Sequence, residues 1–424
     1  MPKRHATLIG KAVKSIMKLR GGGSALPGLI VERIDPNFIK DSLAELPEGV
    51  VVISGTNGKT TTTKMVVELL ESQGLKVFTN RTGSNFTRGV AAALLGEVDS
   101  RGKLNADIAV LELDEAHAVH FVRAVRPRYS LLLNVMRDQL DRFGEIDATA
   151  KLLKAVADAT TEKTIINRED PRLLKLGASL PADKVVYFGL DAGLRTTFPT
   201  DDDMRSATAT KDAILAPRAI STLDSFDGSQ ANFTLSGRTL SASLKLEGIY
   251  NVYNAAAALG LVLTVVDSVD FDRLQQALAD ITPAFGRGES IVVDGQPVEL
   301  VLVKNPAGFR LGLKSFPPEG YATMIAVNDN YADGRDMSWL WDVDFDSLRE
   351  TGVSAVSGVR AYDMALRLQY EEVEVSAVDT DLKKSLKSFL KLENDKPKRI
   401  YCTYTAMLTL RRELAKIAHV ETVS

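Results

Sequence analysis

The sequence predicts an α/β protein with a mostly parallel sheet in a central domain and a smaller C-terminal α/β domain. The chain has 424 residues, more than one ordinary hydrophobic core organises. Between about residues 50 and 188, apolar runs alternate with amphipathic segments, a pattern typical of strands and helices in a parallel sheet. The same alternation resumes beyond residue 289, which indicates the second domain.

The N-terminal segment, residues 1–45, combines a basic amphipathic helix with a flexible linker, "GGGSALPG". Its apolar residues fall mainly on one helical face, and its lysines lie largely elsewhere. Two interpretations remain open: a helix that packs on its own protein, or a basic helix that rests near a membrane surface. The segment lacks the clean apolar stretch of a secretory signal.

A phosphate-binding loop is predicted at residues 55–60, "GTNGKT". The loop follows an apolar strand, "GVVVIS", and precedes a helical pattern that stops at Gly74. Backbone N–H groups and the helix N-terminus would face the phosphates, with Lys59 supplying a cation and the Thr60 hydroxyl a ligand for Mg²⁺. Ile53 stands where the longer nucleotide loop has glycine, so this is the shortened form. The alternative is a simple glycine turn.

A second polar position lies in the apolar run "VLELDEAH". Alternate residues of a strand share a face, so Glu112 and Asp114 are expected to point together. A carboxylate at the C-terminal end of a strand, beside a phosphate loop, suits Mg²⁺. The alternative is an exposed strand end without a metal.

Composition excludes several classes of function. A net charge of −3 gives no electrostatic basis for general nucleic-acid binding. The single cysteine, Cys402, excludes an intrachain disulfide and a cysteine-based metal site. Because Cys402 ends a predicted buried strand, "RIYCTY", we expect it in the core. A reducing, cytoplasmic setting is consistent with these features.

Five motifs in this order resemble the Mur ligase family: "GTNGKTTTT", "LELDE", "NVMRDQLDRFGEID", "EGIYNVYNAAAALG" and "FGRGE". The C-terminal stretches "LVKNPAGF" and "NDNYADGRDMSWLWDVDFD" resemble the branch of that family that amidates lipid II. The resemblance implies a Mur-type ATP-binding domain at 46–288, with 191–237 as a metal-free insertion. It implies a ligase domain at 289–424 that contacts a glutaminase partner.

The resemblance also implies the reaction. ATP and Mg²⁺ would activate the α-carboxyl of D-isoglutamate in the lipid II stem peptide as an acyl phosphate, and ammonia would convert it to D-isoglutamine. An amino-acid-adding ligase of the Mur or folylpolyglutamate type is the first alternative. A nucleotide-gated binding module without catalysis is the second.

Matching the family's motifs residue by residue implies two ligands for one Mg²⁺ ion and a larger set of residues that contact the nucleotide. Thr60 and Glu112 would bind Mg²⁺, and Lys59 is also implied to be catalytic. Amino-acid-adding relatives have histidine where this chain has Gln139, which places a second metal in doubt. Many relatives carry a four-cysteine zinc ribbon, which one cysteine cannot form, so no zinc is expected. The nucleotide contacts would be Gly55, Thr56, Asn57, Gly58, Lys59, Thr60, Thr61, Asn251, Asn254 and Arg287.

The last implication of the resemblance concerns the source of the ammonia. The resemblance implies a separate class I glutaminase subunit, GatD-like, as a heterodimeric partner. The second aspartate of "DGRD", Asp336, would complete the partner's Cys–His pair, because a carboxylate orients an imidazole and stabilises its cation. Without the resemblance, "YADGRDMSW" indicates only a polar turn. The lipid-linked substrate would place the enzyme at the inner face of the plasma membrane.

Overall fold

The computed structural model describes residues 2–19, 25–80, 86–137, 146–198, 217–245, 248–282, 287–392 and 396–420. The chain divides into two compact units. The first comprises residues 1–135, 147–246 and 251–282, and the second comprises 136–146, 247–250 and 283–424.

The first unit is built on a nine-stranded sheet with the order β2-β3-β1-β4-β5-β6-β7-β8-β9. Its first seven strands pair in parallel, whereas β8 and β9 extend the edge as an antiparallel meander from β7. The strands are β1 (Gly49–Ser54), β2 (Val77–Thr79), β3 (Ile108–Glu112), β4 (Tyr129–Leu132), β5 (Lys163–Asn167), β6 (Val185–Leu190), β7 (Ser221–Asp227), β8 (Gln230–Leu235) and β9 (Arg238–Ser243).

Helices lie before, between and after these strands, and those between successive parallel strands form the crossover connections that parallel pairing needs. In the described ranges of this unit they are α1 (Arg4–Leu19), α2 (Ala25–Ile34), α3 (Phe38–Leu43), α4 (Lys59–Ser72), α5 (Thr87–Glu97), α6 (Glu115–Ala124), α7 (Ile146–Ala159), α8 (Pro171–Ala178), α9 (Ile249–Val265) and α10 (Phe271–Asp280).

The second unit contains a six-stranded sheet with the order β10-β11-β15-β12-β13-β14. Among the described residues of this sheet, the β10–β11 pair is antiparallel and the other strand pairs are parallel. The strands are β10 (Arg287–Val293), β11 (Gln296–Leu302), β12 (Ala322–Ala326), β13 (Ala355–Ser357), β14 (Val378–Asp379) and β15 (Lys398–Cys402). The helices described here are α11 (Pro306–Ser315), α12 (Ala361–Tyr370), α13 (Leu382–Phe389) and α14 (Tyr404–Leu414).

Strand β1 lies inside the first sheet, paired in parallel with β3 on one side and β4 on the other. Val51 stands opposite Val110 and Tyr129, and all three side chains are buried. A parallel strand covered on both faces needs apolar residues throughout, which explains the run "GVVVIS". The C-terminal ends of β1, β3 and β4 therefore meet at one edge, where the predicted loop begins.

The second sheet is covered by one apolar cluster around Phe309, Phe345 and Tyr401 and by another around Met324, Ile400 and Met407. Cys402 lies fully buried in the second of these, and burial raises the pKa of its thiol. The prediction of a core cysteine is confirmed. Two sheets built mainly from parallel strands also confirm the predicted α/β class.

Helix α1 packs against α2 and α5. Gly10 faces the Leu95 side chain at close range, and the Lys11 ammonium donates to the Val98 carbonyl at 2.5 Å. One face of this helix therefore packs on its own protein, as the first of the two interpretations predicts. None of the helices in the described ranges combines the length and the apolarity needed to cross a bilayer.

Candidate nucleotide-binding site

The loop between β1 and α4 has a backbone shape that depends on its glycines. Gly55 and Gly58 both adopt positive φ, at +134° and +86°. A Cβ at Gly58 would stand 2.7 Å from the Asn254 Oδ1, and one at Gly55 would meet the Asn134 backbone at 3.0 Å. Glycine is therefore required for conformation and for space at both positions.

Helix α4 begins directly after this loop, at Lys59. Within the described residues, no side chain caps its first turn. The N-terminus of a helix carries partial positive charge and N–H groups directed outward, which suits a phosphate. The Thr61 hydroxyl, buried in this turn, has no hydrogen-bond partner among the described residues. The loop has no room for a side chain at its two glycines, and the buried Thr61 hydroxyl has no hydrogen-bond partner among the described residues. Both features fit a bound nucleotide phosphate.

Asn134, which follows β4, fixes the loop from the neighbouring strand. Its Oδ1 accepts from the Asn57 N–H at 2.8 Å, and its Nδ2 donates to the Asn57 carbonyl at 3.0 Å. The Asn134 carbonyl also accepts from the Thr56 N–H at 3.1 Å. Three hydrogen bonds from one residue therefore hold the loop in register with β4.

The Lys59 ammonium lies inside the loop, largely buried. It donates to the Gly55 carbonyl and, at 3.3 Å, to the Thr56 carbonyl. It also forms an ion pair with the Glu115 Oε2 at 3.3 Å. The buried cation is thus balanced by a buried carboxylate, which offsets its desolvation.

Thr60 and Glu112 stand next to each other. The Thr60 hydroxyl donates to the Glu112 Oε1 at 2.9 Å. Asn80 accepts from the Glu112 N–H and donates to its carbonyl, at 3.0 and 2.9 Å, and so fixes the end of β3. A hydroxyl and a carboxylate beside a phosphate cradle form an oxygen donor set that fits Mg²⁺, which commonly uses one or two protein oxygens together with phosphates.

One expectation at this edge is wrong. Strand β3 ends at Glu112, so Glu112 and Asp114 do not share a strand face. Asp114 instead caps α6 and accepts from the Ala116 N–H at 3.3 Å. The polar turn ends the strand two residues earlier than simple alternation predicts, because an aspartate can satisfy a helix N-terminus.

Asn251 and Asn254 both lie on α9. Asn254 faces Gly58 of the loop, whereas Asn251 is buried one turn earlier on the same helix. Arg287 begins β10, and its side chain lies outside the described residues, as does all of Gln139. Of the predicted nucleotide and metal residues, the structure therefore brings the 55–61 segment together with Glu112 and Asn254.

Four residues at this site were missed by sequence reasoning: Asn80, Glu115, Asn134 and Asp170. Asp170 caps α8 and accepts from the Val135 N–H at 2.6 Å, next to Asn134. Its burial raises the pKa of this carboxyl to about 6. Asn80, Asn134 and Asp170 follow apolar strands closely, which is the signal that could have identified them.

Asp336 lies in the second unit, in the segment that follows β12. Its Oδ1 accepts from the Ser338 N–H at 2.9 Å. Hydrogen bonds from Ser338 lower the pKa of Asp336, so the carboxyl is an anion at neutral pH. The first aspartate of the motif, Asp333, is buried and accepts from the Thr405 N–H and hydroxyl at 2.7 and 2.5 Å.

Comparison with known proteins identifies both halves of the chain. The Mur ligase middle domain matches residues 53–262, and the MurT ligase C-terminal domain matches residues 302–407. The MurT subunit of lipid II isoglutaminyl synthase (glutamine-hydrolyzing) from Streptococcus pneumoniae is 29% identical over 96% of both chains. The corresponding subunit from Staphylococcus aureus is 29% identical over 88% of both chains.

Solved structures agree on the fold. MurF ligase from Thermotoga maritima, in complex with ADP, has a TM-score of 0.65 and 18% identity. The similarity covers 90% of this chain and 84% of that one. This fold, the phosphate loop and the two family matches confirm the resemblance predicted from the motifs: the chain belongs to the Mur ligase family, and within it is similar to the MurT subunits.

Proposed function

We propose that this protein is the ligase-like subunit of an enzyme that amidates lipid II in peptidoglycan synthesis, using ATP. The observation that carries the proposal is the end-to-end similarity to MurT subunits, together with an intact phosphate loop. The similarity spans 96% of both chains for the pneumococcal relative. Lys59, Thr60 and Glu112 are then the residues that act on the nucleotide.

The proposed chemistry has two steps. The α-carboxylate of D-isoglutamate attacks the terminal phosphorus of ATP, and ADP leaves, which gives an acyl phosphate. Ammonia then attacks the acyl carbon and loses a proton, the bond from that carbon to the phosphate oxygen breaks, and phosphate leaves, which gives the carboxamide of D-isoglutamine in place of the carboxylate. Phosphorylation is needed because a free carboxylate is a poor electrophile with a poor leaving group.

Each loop residue has a defined part in the first step. The N–H groups at the start of α4 and the Thr61 hydroxyl would hold phosphate oxygens. The Lys59 ammonium would exchange its loop carbonyls for the terminal phosphates and stabilise the charge that develops there. Mg²⁺, held by Thr60 and Glu112, would neutralise phosphate charge when bound.

A glutamine-hydrolysing partner forms the second part of the proposal. The MurT relatives are named as subunits of glutamine-hydrolyzing enzymes. We propose a GatD-like class I glutaminase as the partner here, with Asp336 orienting its catalytic histidine. Asp336 is only partly buried and ionised, as a carboxylate that acts on another chain must be.

The surroundings of Asp336 support a protein contact. The segment is anchored to α12 on both sides of Asp336: Arg360 bonds to Asp329 at 2.9 Å, and Arg367 donates to the Val343 carbonyl at 2.6 Å. Large aromatic side chains are exposed on the segment and on α12. They are Tyr331, Trp341, Tyr362 and Tyr370. Aromatic residues of this kind are enriched at protein interfaces.

A lipid-linked substrate would require the reaction to occur at the inner face of the plasma membrane. We propose this location on the chemistry of the substrate.

The test is mass spectrometry of lipid II after incubation with the protein, ATP, Mg²⁺ and ammonium. Conversion of a carboxyl to an amide lowers the mass by about one dalton, and this change should need ATP. The same reaction with a free amino acid in place of ammonium distinguishes the amino-acid-adding alternative, which would raise the mass by one residue. ATP hydrolysis with no change in lipid II would contradict both ligase functions and favour a nucleotide-gated binding module.

A further inference from the structure

Helix α1 is held to the first unit by one face. Ala6, Thr7 and Gly10 are buried on that face. The Lys14 ammonium donates to the Ala92 carbonyl of α5 at 3.0 Å, one turn beyond the bond from Lys11 to Val98. These contacts fix which side of the helix points outward.

The outward side is apolar. Leu8, Ile9 and Ile16 are 49%, 44% and 51% exposed, and Ala12 is exposed between them. At 3.6 residues per turn, these four residues fall within roughly 100° of the helix circumference. We call them the α1 outer face. Exposing three large aliphatic side chains side by side is unfavourable in water, so a partner surface is indicated.

The N-terminal segment that carries the α1 outer face has charged residues of one sign. The sequence contains no aspartate or glutamate before Glu32, although it contains lysine or arginine at positions 3, 4, 11, 14, 18 and 20. Lys3, Arg4 and His5 are exposed where the helix begins. The next longest run of the first unit without an acidic residue, 72–96, is shorter and carries three lysine or arginine residues, and the whole chain is slightly acidic. The complementary surface is therefore anionic as well as apolar.

We propose that the α1 outer face lies on the surface of an anionic lipid bilayer. The apolar side chains would enter the boundary between headgroups and acyl chains, and the exposed Lys3 and Arg4 would approach lipid phosphates. Binding of this kind lies in the membrane plane and needs no spanning segment. It does not depend on the proposed amidation, although it would hold the first unit beside a lipid-linked substrate.

The experiment is co-sedimentation of the full-length chain with vesicles of phosphatidylglycerol and phosphatidylcholine, and with vesicles of phosphatidylcholine alone. We expect binding to the anionic vesicles that weakens as salt is raised. The double variant Leu8→Ser/Ile16→Ser should bind them roughly tenfold more weakly or worse, because two inserted aliphatic side chains are lost. The matched control is Val292→Ser/Ile417→Ser, which removes two exposed aliphatic side chains of the second unit and should bind as the wild type does.

Circular dichroism checks that each variant is folded, and the molar mass in solution shows whether it forms dimers. Absence of binding to anionic vesicles, or equal binding by both double variants, would overturn the proposal. A loss of dimers in Leu8→Ser/Ile16→Ser, with vesicle binding unchanged, would assign the face to a second copy instead. Vesicle binding that persists in a protein that does not amidate lipid II would leave this inference intact and refute only the proposed reaction.

Discussion

The phosphate loop and the Asp336 segment each follow the C-terminal end of a parallel strand, β1 in one unit and β12 in the other. They differ in which groups are buried. In the phosphate loop the groups that would act are themselves enclosed: Lys59 is 6% and Glu112 is 8% exposed. In the Asp336 segment the buried carboxylate, Asp333, is structural, and the one proposed to act lies outward. The first arrangement suits a small ligand that the chain surrounds, and the second suits a surface that another chain completes.

The largest expected effect is at Lys59. Lys59→Ala should lower ATP-dependent amidation by roughly 10²–10³-fold with either ammonium or glutamine, because charge stabilisation at the phosphates is lost. Lys64→Ala, which removes a lysine from the next turn of α4, is the matched control and should retain activity. Amidation is measured from the mass of lipid II. Equal activity of both variants would show that the enclosed cation is not the one that acts.

Asp336→Asn should separate the two nitrogen sources. We expect glutamine-driven amidation to fall by at least about 10²-fold, since the amide cannot stabilise an imidazolium, while ammonium-driven amidation continues. Asp344→Asn, at another exposed aspartate of the same segment, serves as control. If glutamine-driven and ammonium-driven amidation fell together, Asp336 would act in the ligase reaction itself. The proposed difference between the phosphate loop and the Asp336 segment would then be wrong.

Asn134→Ala should give a smaller effect. The loop would lose two hydrogen bonds from the carboxamide, each contributing about 1 kcal/mol, so the KM for ATP should rise by up to about 30-fold. Asn134→Asp keeps the acceptor for the Asn57 N–H and loses the donor, so its KM should be intermediate. Isothermal titration with a non-hydrolysable ATP analogue gives the affinity directly. An unchanged affinity in Asn134→Ala would show that the loop keeps its shape without this residue.

The smallest effect concerns pH. The Asp170 carboxyl has its pKa raised to about 6 by burial, whereas the unfolded carboxyl is already ionised at pH 5. The folded state therefore binds the proton more tightly, and this contribution to stability is lost as the pH rises through 6. Between pH 5 and 7 the free energy of unfolding should fall by about 1 kcal/mol more in the wild type than in Asp170→Ala.

Urea unfolding at both pH values, followed by circular dichroism, gives this difference. Asp183→Ala, at an exposed carboxylate of the same unit, should retain the wild-type pH dependence. A wild type and an Asp170→Ala variant with the same pH dependence would show that Asp170 is ionised in the folded protein throughout this range.

Most of the first region could be predicted from sequence because its chemistry requires particular residue types at fixed spacing. The glycines at 55 and 58, the lysine at 59 and the strand before them specify one local geometry. Glu112 could be predicted from its place at the end of an apolar strand. Asp114 was assigned wrongly, because alternation alone does not show where a strand gives way to a helix cap.

The supporting residues could not be predicted with the same ease. Asn134 lies 77 residues from the loop position that it holds, and Glu115 lies 56 residues from Lys59. Such pairs depend on strand order, which local patterns do not specify. Asp336 is harder still: an exposed aspartate in a polar turn has no distinctive local pattern, and only resemblance to a family singled it out. Its function depends on groups that belong to another molecule.

The ion pair between Lys59 and Glu115 has a consequence for discrimination between nucleotides. The Lys59 ammonium already has a carboxylate partner, so a phosphate has to attract it against the pull of Glu115 as it leaves the loop carbonyls, and weakly charged ligands would do this least well. A triphosphate compensates the exchange better than a monophosphate does, because it offers more negative charge at the same place. Glu115 would thus compete with the phosphates for the lysine, and a ligand of low charge would leave the lysine at its loop carbonyls.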